Sequence, residues 1–526
     1  MVRQYAADAA PRRALVRRRA GQDAPLPLLA TTAGSLLLFA YLLSIFLPGS
    51  FSIGPIRLTL FRLILILVFV PLALRWIQGQ AGRITAPDIF FLLFCLWVSL
   101  ATFAVHGTSQ IPYIGATFLE YFGAYLFGRV CIRSAADHVR LFKYFLCILV
   151  AMLPFALVEA LTRVRLLPHL FSMVFAATGE YESDGRPRLG ITRVAVGFNH
   201  PILWGVVCSL GIANLYYIFK GRARAQLLAV GFVGFMTFLS VSNAPLFSMV
   251  MQALMIAWDR ILNIIRLRWV LLAGLSALGL GLLQLLLPGG LIGYIVDELL
   301  FNPAGGMTRI AAFTYGSAEV MRNPLFGIGL GDWIRPYWQH GSVDNLWLVI
   351  AMRHGLPALV FLILAMAVSA FFMMARSDLD EEESRFRAGY LIALCGLVLA
   401  LCTVHIWAGA LVFVMTYLGA GSWLYERGEA GGTPRRASRE RMSLRPERTD
   451  GRTGERDGGR DGGRGPAPDP GAHSGRRRAG EATAGTAAGT AAGAAEPGPG
   501  PAGIRGRGRP RGSPARRRMP HAGRLS

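Results

Sequence analysis

Phosphate binding and proton acceptance are the two chemistries that this chain's side chains could supply, and the residues for them fall in three stretches. The first is RPRLGITRVAVGFNHPILWG, Arg186 to Gly205. Asn199 or His200 can cap a helix with Pro201 in its first turn. Such a start leaves N–H groups unpaired and a partial positive charge at the helix end. Arg188 and Arg193 beside it make an anion site suited to a phosphate. The same arginines would also serve as lipid-headgroup anchors, and residue type does not separate the two readings.

The second stretch is GGMTRIAAFTYGSAEVMRNPLFGIGLGDW, Gly305 to Trp333. Thr308 is a good N-cap, and Ile310, Phe313, Thr314 and Ser317 recur at helical spacing. The pattern predicts an amphipathic interfacial helix that carries Arg309 and ends before Pro324. Gly327, Gly329 and Gly331 follow at spacing two, a backbone able to pass close to another group and shape a site. No strand precedes them, so they are not a dinucleotide fingerprint. The third stretch is HGSVDNLWLVIAMRHGLPALVFL, His340 to Leu362. Ser342 can cap a helix with Asp344 in its first turn, which clusters His340, Asp344 and Asn345 at a helix mouth. Capping alone explains Ser342 and Asp344. The functional alternative is a general base, Asp344 or His340.

What must position these residues is a set of membrane helices. Of 526 residues, 53% are hydrophobic and 16% charged, against about 25% charged in a soluble domain. The six cysteines have no CxxC partner, so neither a disulfide scaffold nor a zinc site is indicated. Apolar runs lie near 28–47, 58–76, 88–106, 111–130, 141–161, 199–219, 225–242, 245–261, 269–288, 345–375, 388–407 and 409–425. Most reach the ~20 residues that cross ~30 Å of hydrocarbon. None alternates with polar residues as a β-barrel strand would. Gly355 and Pro357 should break the long 345–375 run.

The expected fold class is therefore an all-α polytopic membrane protein of about 12 transmembrane helices. Arginine placement puts both termini on the cytoplasmic side by the positive-inside rule. Two outer loops, 162–198 and 289–344, are large enough to build a site, and both hold arginine against that rule. Inside the membrane, Arg62 and Glu120 are expected to pair, and Glu159 to sit near the outer interface.

The net charge of +23 is not a nucleic-acid signal. Only Lys143 and Lys220 are lysines, an arginine bias that fits a GC-rich genome. Residues 428–526 hold 21 Arg against 10 acids and no Phe, Trp or Tyr. Such a Gly/Pro/Arg/Ala-rich tail cannot bury enough apolar area to offset chain entropy and is expected to be disordered and cytoplasmic. The domain reading is thus 1–27 basic N-terminus, 28–427 membrane domain and 428–526 tail.

Four pieces together resemble a family. Arg193 with GFNHPILWG, Arg309 heading an outer helix, NPLFGIGLG, and SVDNLWL followed by RHGLPAL occur in the order and spacing of the O-antigen ligase and polymerase-like membrane proteins, exopolysaccharide polymerases included. The resemblance covers about residues 185–375 and, more loosely, the many-span layout. It implies a GT-C-like glycosyltransferase of a bacterial cytoplasmic membrane with its site on the outer face. Such an enzyme takes a glycan from a polyprenyl-diphosphate carrier and joins it to another glycan or a lipid. Polysaccharide export or chain-length proteins are the partners it would work with, and no nucleotide sugar, cofactor or metal is implied.

The family's diphosphate-binding arginines correspond to Arg193 and Arg309, with Arg188 beside them. His200, Asn345, Gly327 and Gly329 would shape the site. The family often has His immediately before Asn in the last motif; here that slot is Asp344, which favours a polymerase over a lipopolysaccharide ligase. Arginines suit a departing diphosphate because guanidinium binds phosphate oxygens bidentately and stays protonated. A polytopic secondary transporter and a non-catalytic part of a polysaccharide export complex are the rival functions. Against the transporter, no internal repeat is evident and the suggestive residues lie in outer loops rather than at the midplane.

Overall fold

A computed structural model describes residue 29 and residues 31–54, 56–175, 187–265, 267–286 and 303–426. The N-terminal arm 1–27, the tail 428–526 and Arg186 lie outside the described residues, as do the parts 176–186 and 287–302 of the two outer loops. Everything described falls in the first of two structural units, residues 1–434.

The chain opens with α1 (Thr32–Phe46) and a two-stranded hairpin, β1 (Ser50–Ile53) against β2 (Ile56–Thr59). The hairpin is antiparallel, with Ser50 opposite Thr59. Helices α2 (Leu60–Ile77) and α3 (Ala86–His106) follow, then α4 (Ile111–Phe118), a π-helical turn (Leu119–Gly123) and α5 (Ala124–Cys131). Next come α6 (Ala135–Thr162), α7 (Leu166–Ser172), α8 (Pro201–Ser209), α9 (Gly211–Ile218), α10 (Ala223–Phe238), α11 (Asn243–Ile261) and α12 (Arg268–Leu286). The last four are α13 (Pro303–Arg322), α14 (Leu346–Ala375), α15 (Glu381–Leu401) and α16 (Ala408–Ala420).

Among the described residues, seven helical stretches are long and apolar enough to cross a membrane, Ala86–Cys131 counting as one of them, and three shorter apolar helices accompany them. This is the architecture of a helical multi-pass membrane protein. Large apolar side chains such as Leu67, Leu227 and Leu285 remain exposed on it. In water that would be a liability; against lipid tails it costs nothing.

Several charges inside this apolar body are paired. Arg62 Nε donates to Glu120 Oε1 at 2.7 Å, as expected from the sequence. The π-helical turn carries Glu120. Arg129, counted with the cytoplasmic loop charges when read from sequence, is instead fully buried. It donates to Asp88 Oδ1 at 2.9 Å, to the Ala81 and Arg83 carbonyls at 2.6 and 2.9 Å, and to Glu426. Asp88 also accepts from the Thr85 N–H and the Tyr125 hydroxyl. One guanidinium therefore ties the start of α3, the end of α5 and the residues after α16 together.

The long helix α14 breaks where Gly355 and Pro357 predict. Gly355 takes φ 82°, ψ 171°, and a side chain there would strike the Leu325 carbonyl. Pro357 has no N–H to offer the Arg353 carbonyl, and the Leu356 N–H turns away to Pro324 O at 2.7 Å. The freed Met352 and Arg353 carbonyls accept instead from the Ile328 and Gly329 N–H groups at 2.8 and 2.9 Å. The outer loop is thereby hydrogen-bonded onto the break. Leu330 N–H adds a bond to His106 Nε2 at 2.7 Å, fixing the outer end of α3 to the same loop.

Replacing Arg129 by Met should cost about 3–5 kcal/mol, because Asp88 would be left buried without its counter-charge and Glu426 would keep only Arg133, 3.1 Å away. Thermal unfolding of the detergent-solubilised protein reads this as a large fall in midpoint. The combined Asp88→Asn, Arg129→Met, Glu426→Gln protein should recover much of it.

Candidate functional site

Five segments that are distant in sequence converge at one end of the bundle around a cavity of about 520 Å³. The loop before α8 supplies Arg188, Arg193 and His200; the start of α11 supplies Ser242 and Asn243; α13 supplies Thr308 and Arg309. The segment before α14 gives Gln339, His340 and Asp344, and the turn between α15 and α16 gives His405 and Trp407.

Each wall has a local cause. Glu159 lies in the last turn of α6 and is buried inside the protein, where its carboxylate is fully engaged. It accepts from the Ala195 and Val196 N–H groups at 3.1 and 2.8 Å and pairs with Arg165 Nε at 3.2 Å. Arg165 in turn donates to the Val196 and Phe198 carbonyls at 3.2 and 2.6 Å. Val196 sits at φ 51°, an unfavourable conformation for a β-branched residue that these bonds hold in place. Beneath the clamp, Phe46 meets Phe198, Trp204 and Phe413 edge-on.

The clamp sets the position of Arg193. Its NH2 donates to Ser242 Oγ at 2.9 Å and its Nε to the Ser240 carbonyl at 3.4 Å. Arg188 NH1 reaches the neighbouring Val241 carbonyl at 3.5 Å. Both arginines are thus aimed by the turn that precedes α11. His200 caps α8 through Nδ1, accepting from the Ile202 N–H at 3.2 Å, with Pro201 as first helical residue. This is one of the two caps the sequence allowed.

On the opposite wall two caps differ from expectation. Helix α13 begins at Pro303 rather than after Thr308, so Thr308 lies within the helix; proline at a first helical position is favourable because its missing N–H would be unpaired anyway. The cap of α14 is Asn345, not Ser342: its backbone is extended and its Oδ1 accepts from the Leu348 N–H at 3.0 Å. Asn345 is therefore turned into its own helix and does not line the cavity. Gly327 and Gly329 do not line it either. They sit at φ 66° and 60° against the α14 break and His106, and act on the site through the loop they fasten.

Asp344 does face the cavity and is engaged there. Arg309 NH2 lies 3.3 Å from its Oδ2. Arg309 Nε, Gln339 Oε1 and Asn243 Oδ1 are buried in the cavity wall with no hydrogen-bond partner. Natural interiors leave few such atoms, and their clustering marks a polar surface ready for a ligand. His340 is exposed at the rim.

Sequence reading missed His405, Trp407, Asn243 and Gln339. The first two were absorbed into an apolar run assigned to 388–407, whereas α15 ends at Leu401. The polar pair Cys402–Thr403 was the available signal. His405 stacks on Trp407, with ring centroids 5.7 Å apart. Burial pushes the His405 imidazole down to about 4, with the Arg353 guanidinium adding to the effect and Asp344 opposing it.

Chemically, three guanidinium groups, a helix N-terminus, a carboxylate and three imidazoles share one cavity. That set can hold a multiply charged phosphate and move a proton. Among the described residues, no three His, Cys, Asp or Glu side chains are placed to hold a metal ion. No protein-family model matches the chain, and no curated protein matches its sequence.

Replacing Glu159 by Gln should loosen the loop that aims Arg193. Loss of charge-assisted bonds worth about 1.5–3 kcal/mol should speed amide exchange over residues 192–198 on the order of 10- to 100-fold. Hydrogen-exchange mass spectrometry reads this directly. Unchanged exchange would show that the clamp does not hold the loop.

Proposed function

We propose that this protein is a membrane glycosyltransferase of a bacterial cytoplasmic membrane. It polymerises, or else ligates, a polyprenyl-diphosphate-linked oligosaccharide on the outer face. In this reading the chain crosses the membrane about twelve times, both termini are cytoplasmic, and the fold is GT-C-like. The observation that carries it is the convergence of Arg188, Arg193 and Arg309 with Asp344 and His340 on one cavity.

The donor diphosphate would lie against the three arginines, and the anomeric carbon would face the carboxylate and imidazoles. Guanidinium groups stabilise the negative charge that grows on the departing diphosphate. Proton acceptance from the acceptor hydroxyl would fall to a group on the other side. A single displacement with inversion is expected, since among the described residues Asp344 is the one carboxylate that lines the cavity and a retaining mechanism requires a pair. Asp344 enters the transfer only after Arg309 lets it go. The incoming diphosphate offers Arg309 a more highly charged partner and so provides that release.

Deletion of the gene followed by complementation tests the reading. Loss of long surface polysaccharide, with accumulation of single polyprenyl-linked repeats, is the polymerase outcome; accumulation of finished lipid-linked polymer is the ligase outcome. Arg309→Ala and Arg193→Ala should each fail to restore the polymer, with transfer reduced on the order of 100-fold or more. Unaltered glycans in the deletion strain would sink the proposal and favour a transporter or a non-catalytic export component.

A further inference from the structure

The turn between α15 and α16 holds the one titratable cavity group for which neither the three chemical stretches nor the family resemblance provides a role. It is His405. Its imidazole lines the same cavity as Arg193, Arg309 and Asp344 and is braced by the Trp407 ring at 5.7 Å. The turn itself is fixed, because the Val404 carbonyl accepts from the Leu346 N–H at 3.1 Å, at the start of α14. His405 is therefore held against the segment that bears Asp344.

The other proton acceptors are less suited. Asp344 pairs with Arg309 in the free protein, and once released it offers a carboxylate, ordinarily a weaker base than a neutral imidazole. His200 spends Nδ1 on capping α8. His340 is exposed at the rim, where water competes for its proton.

We propose that His405 is the proton acceptor of the transfer reaction, with Asp344 as its electrostatic support once diphosphate has drawn Arg309 away. The inference rests on the glycosyltransferase reading above. The step balances as follows. A lone pair of the acceptor hydroxyl oxygen forms the new bond to the donor's anomeric carbon. The bond from that carbon to the diphosphate oxygen breaks, and its electron pair leaves with the polyprenyl diphosphate. The hydroxyl proton passes to the free nitrogen of His405 and from there to water or to the departing diphosphate.

The electrostatics make this a substrate-triggered base. The charged groups around the cavity are Arg188, Arg193 and Arg309, Arg353 nearby, and Asp344, with His200 and His340 also titratable. In the free protein, burial and Arg353 keep His405 neutral down to about pH 4. A bound diphosphate brings negative charge into the cavity and releases Asp344 from Arg309, and both changes favour the imidazolium. The proton affinity of His405 should therefore rise when donor binds. The acid limb of kcat should then lie at higher pH than the acid limb of kcat/KM, since the first reports the loaded site and the second the free one.

The test uses the full chain in liposomes with the polyprenyl-diphosphate oligosaccharide extracted from the deletion strain. His405→Gln should slow transfer on the order of 100-fold or more, with an unchanged melting midpoint and an unchanged KM for donor. His405→Ala should regain activity with added imidazole. Asp344→Asn should narrow the gap between the two acid limbs, leaving only the part due to the diphosphate itself. If Arg309→Ala abolishes transfer while His405→Gln turns over near the wild-type rate, His405 is not the acceptor and the glycosyltransferase reading stands. Coincident acid limbs in the wild type overturn the trigger. If the deletion strain accumulates no lipid-linked oligosaccharide, both readings fall together.

Discussion

The cavity end of this molecule depends on a break in α14. In a low-dielectric surrounding every backbone N–H and C=O needs an internal partner. Gly355 and Pro357 deny partners to two carbonyls in the middle of a 30-residue helix. The glycine-bearing loop 324–330 satisfies them, and in doing so becomes a fixed part of the bundle rather than a surface loop. Because that loop also caps the end of α3 through His106, one local defect organises the chain between α13 and α14 over the cavity.

The other half of the cavity is organised by charge. Glu159 and Arg165 form a buried pair whose remaining hydrogen-bonding capacity is spent on the backbone of residues 195–198. Burying two charges costs several kcal/mol per ion unless they are paired and fully hydrogen-bonded. Here the cost is offset by backbone groups that would otherwise be unpaired, and the strained Val196 is retained as a result. The device recurs with Arg129, Asp88 and Glu426. Ion pairs at the two ends fix the apolar helices, which slide against lipid and each other with little hydrophobic preference.

Within the cavity, attraction and restraint are balanced. Arg309 and Asp344 neutralise each other at 3.3 Å with both side chains partly exposed, a pairing of modest strength that a multiply charged ligand can displace. Arg193 is braced by the turn before α11 and does not have to be ordered when a ligand arrives. A pre-set cation beside a displaceable one suits a site that binds a multiply charged anion and then releases it.

By itself, the sequence determined what depends on neighbours in the chain. Apolar runs of spanning length, the pairing of Arg62 with Glu120, the capped start of α8 and the break at Gly355 were all legible, since composition and short-range sterics decide them. Arg188, Arg193, Arg309, His340 and Asp344 were legible as residue types in outer loops, and the tertiary structure brought all five to one cavity. Only the tertiary structure decided the role of Glu159, the burial of Arg129 and the cap of α14 by Asn345. It also removed Gly327, Gly329 and Asn345 from the cavity lining. It alone brought His405 in from more than 60 residues beyond Asp344. The reason is physical. A histidine in an apolar run reads as part of a helix until the partner that fixes its turn is known, and that partner, the Leu346 N–H, belongs to a different helix.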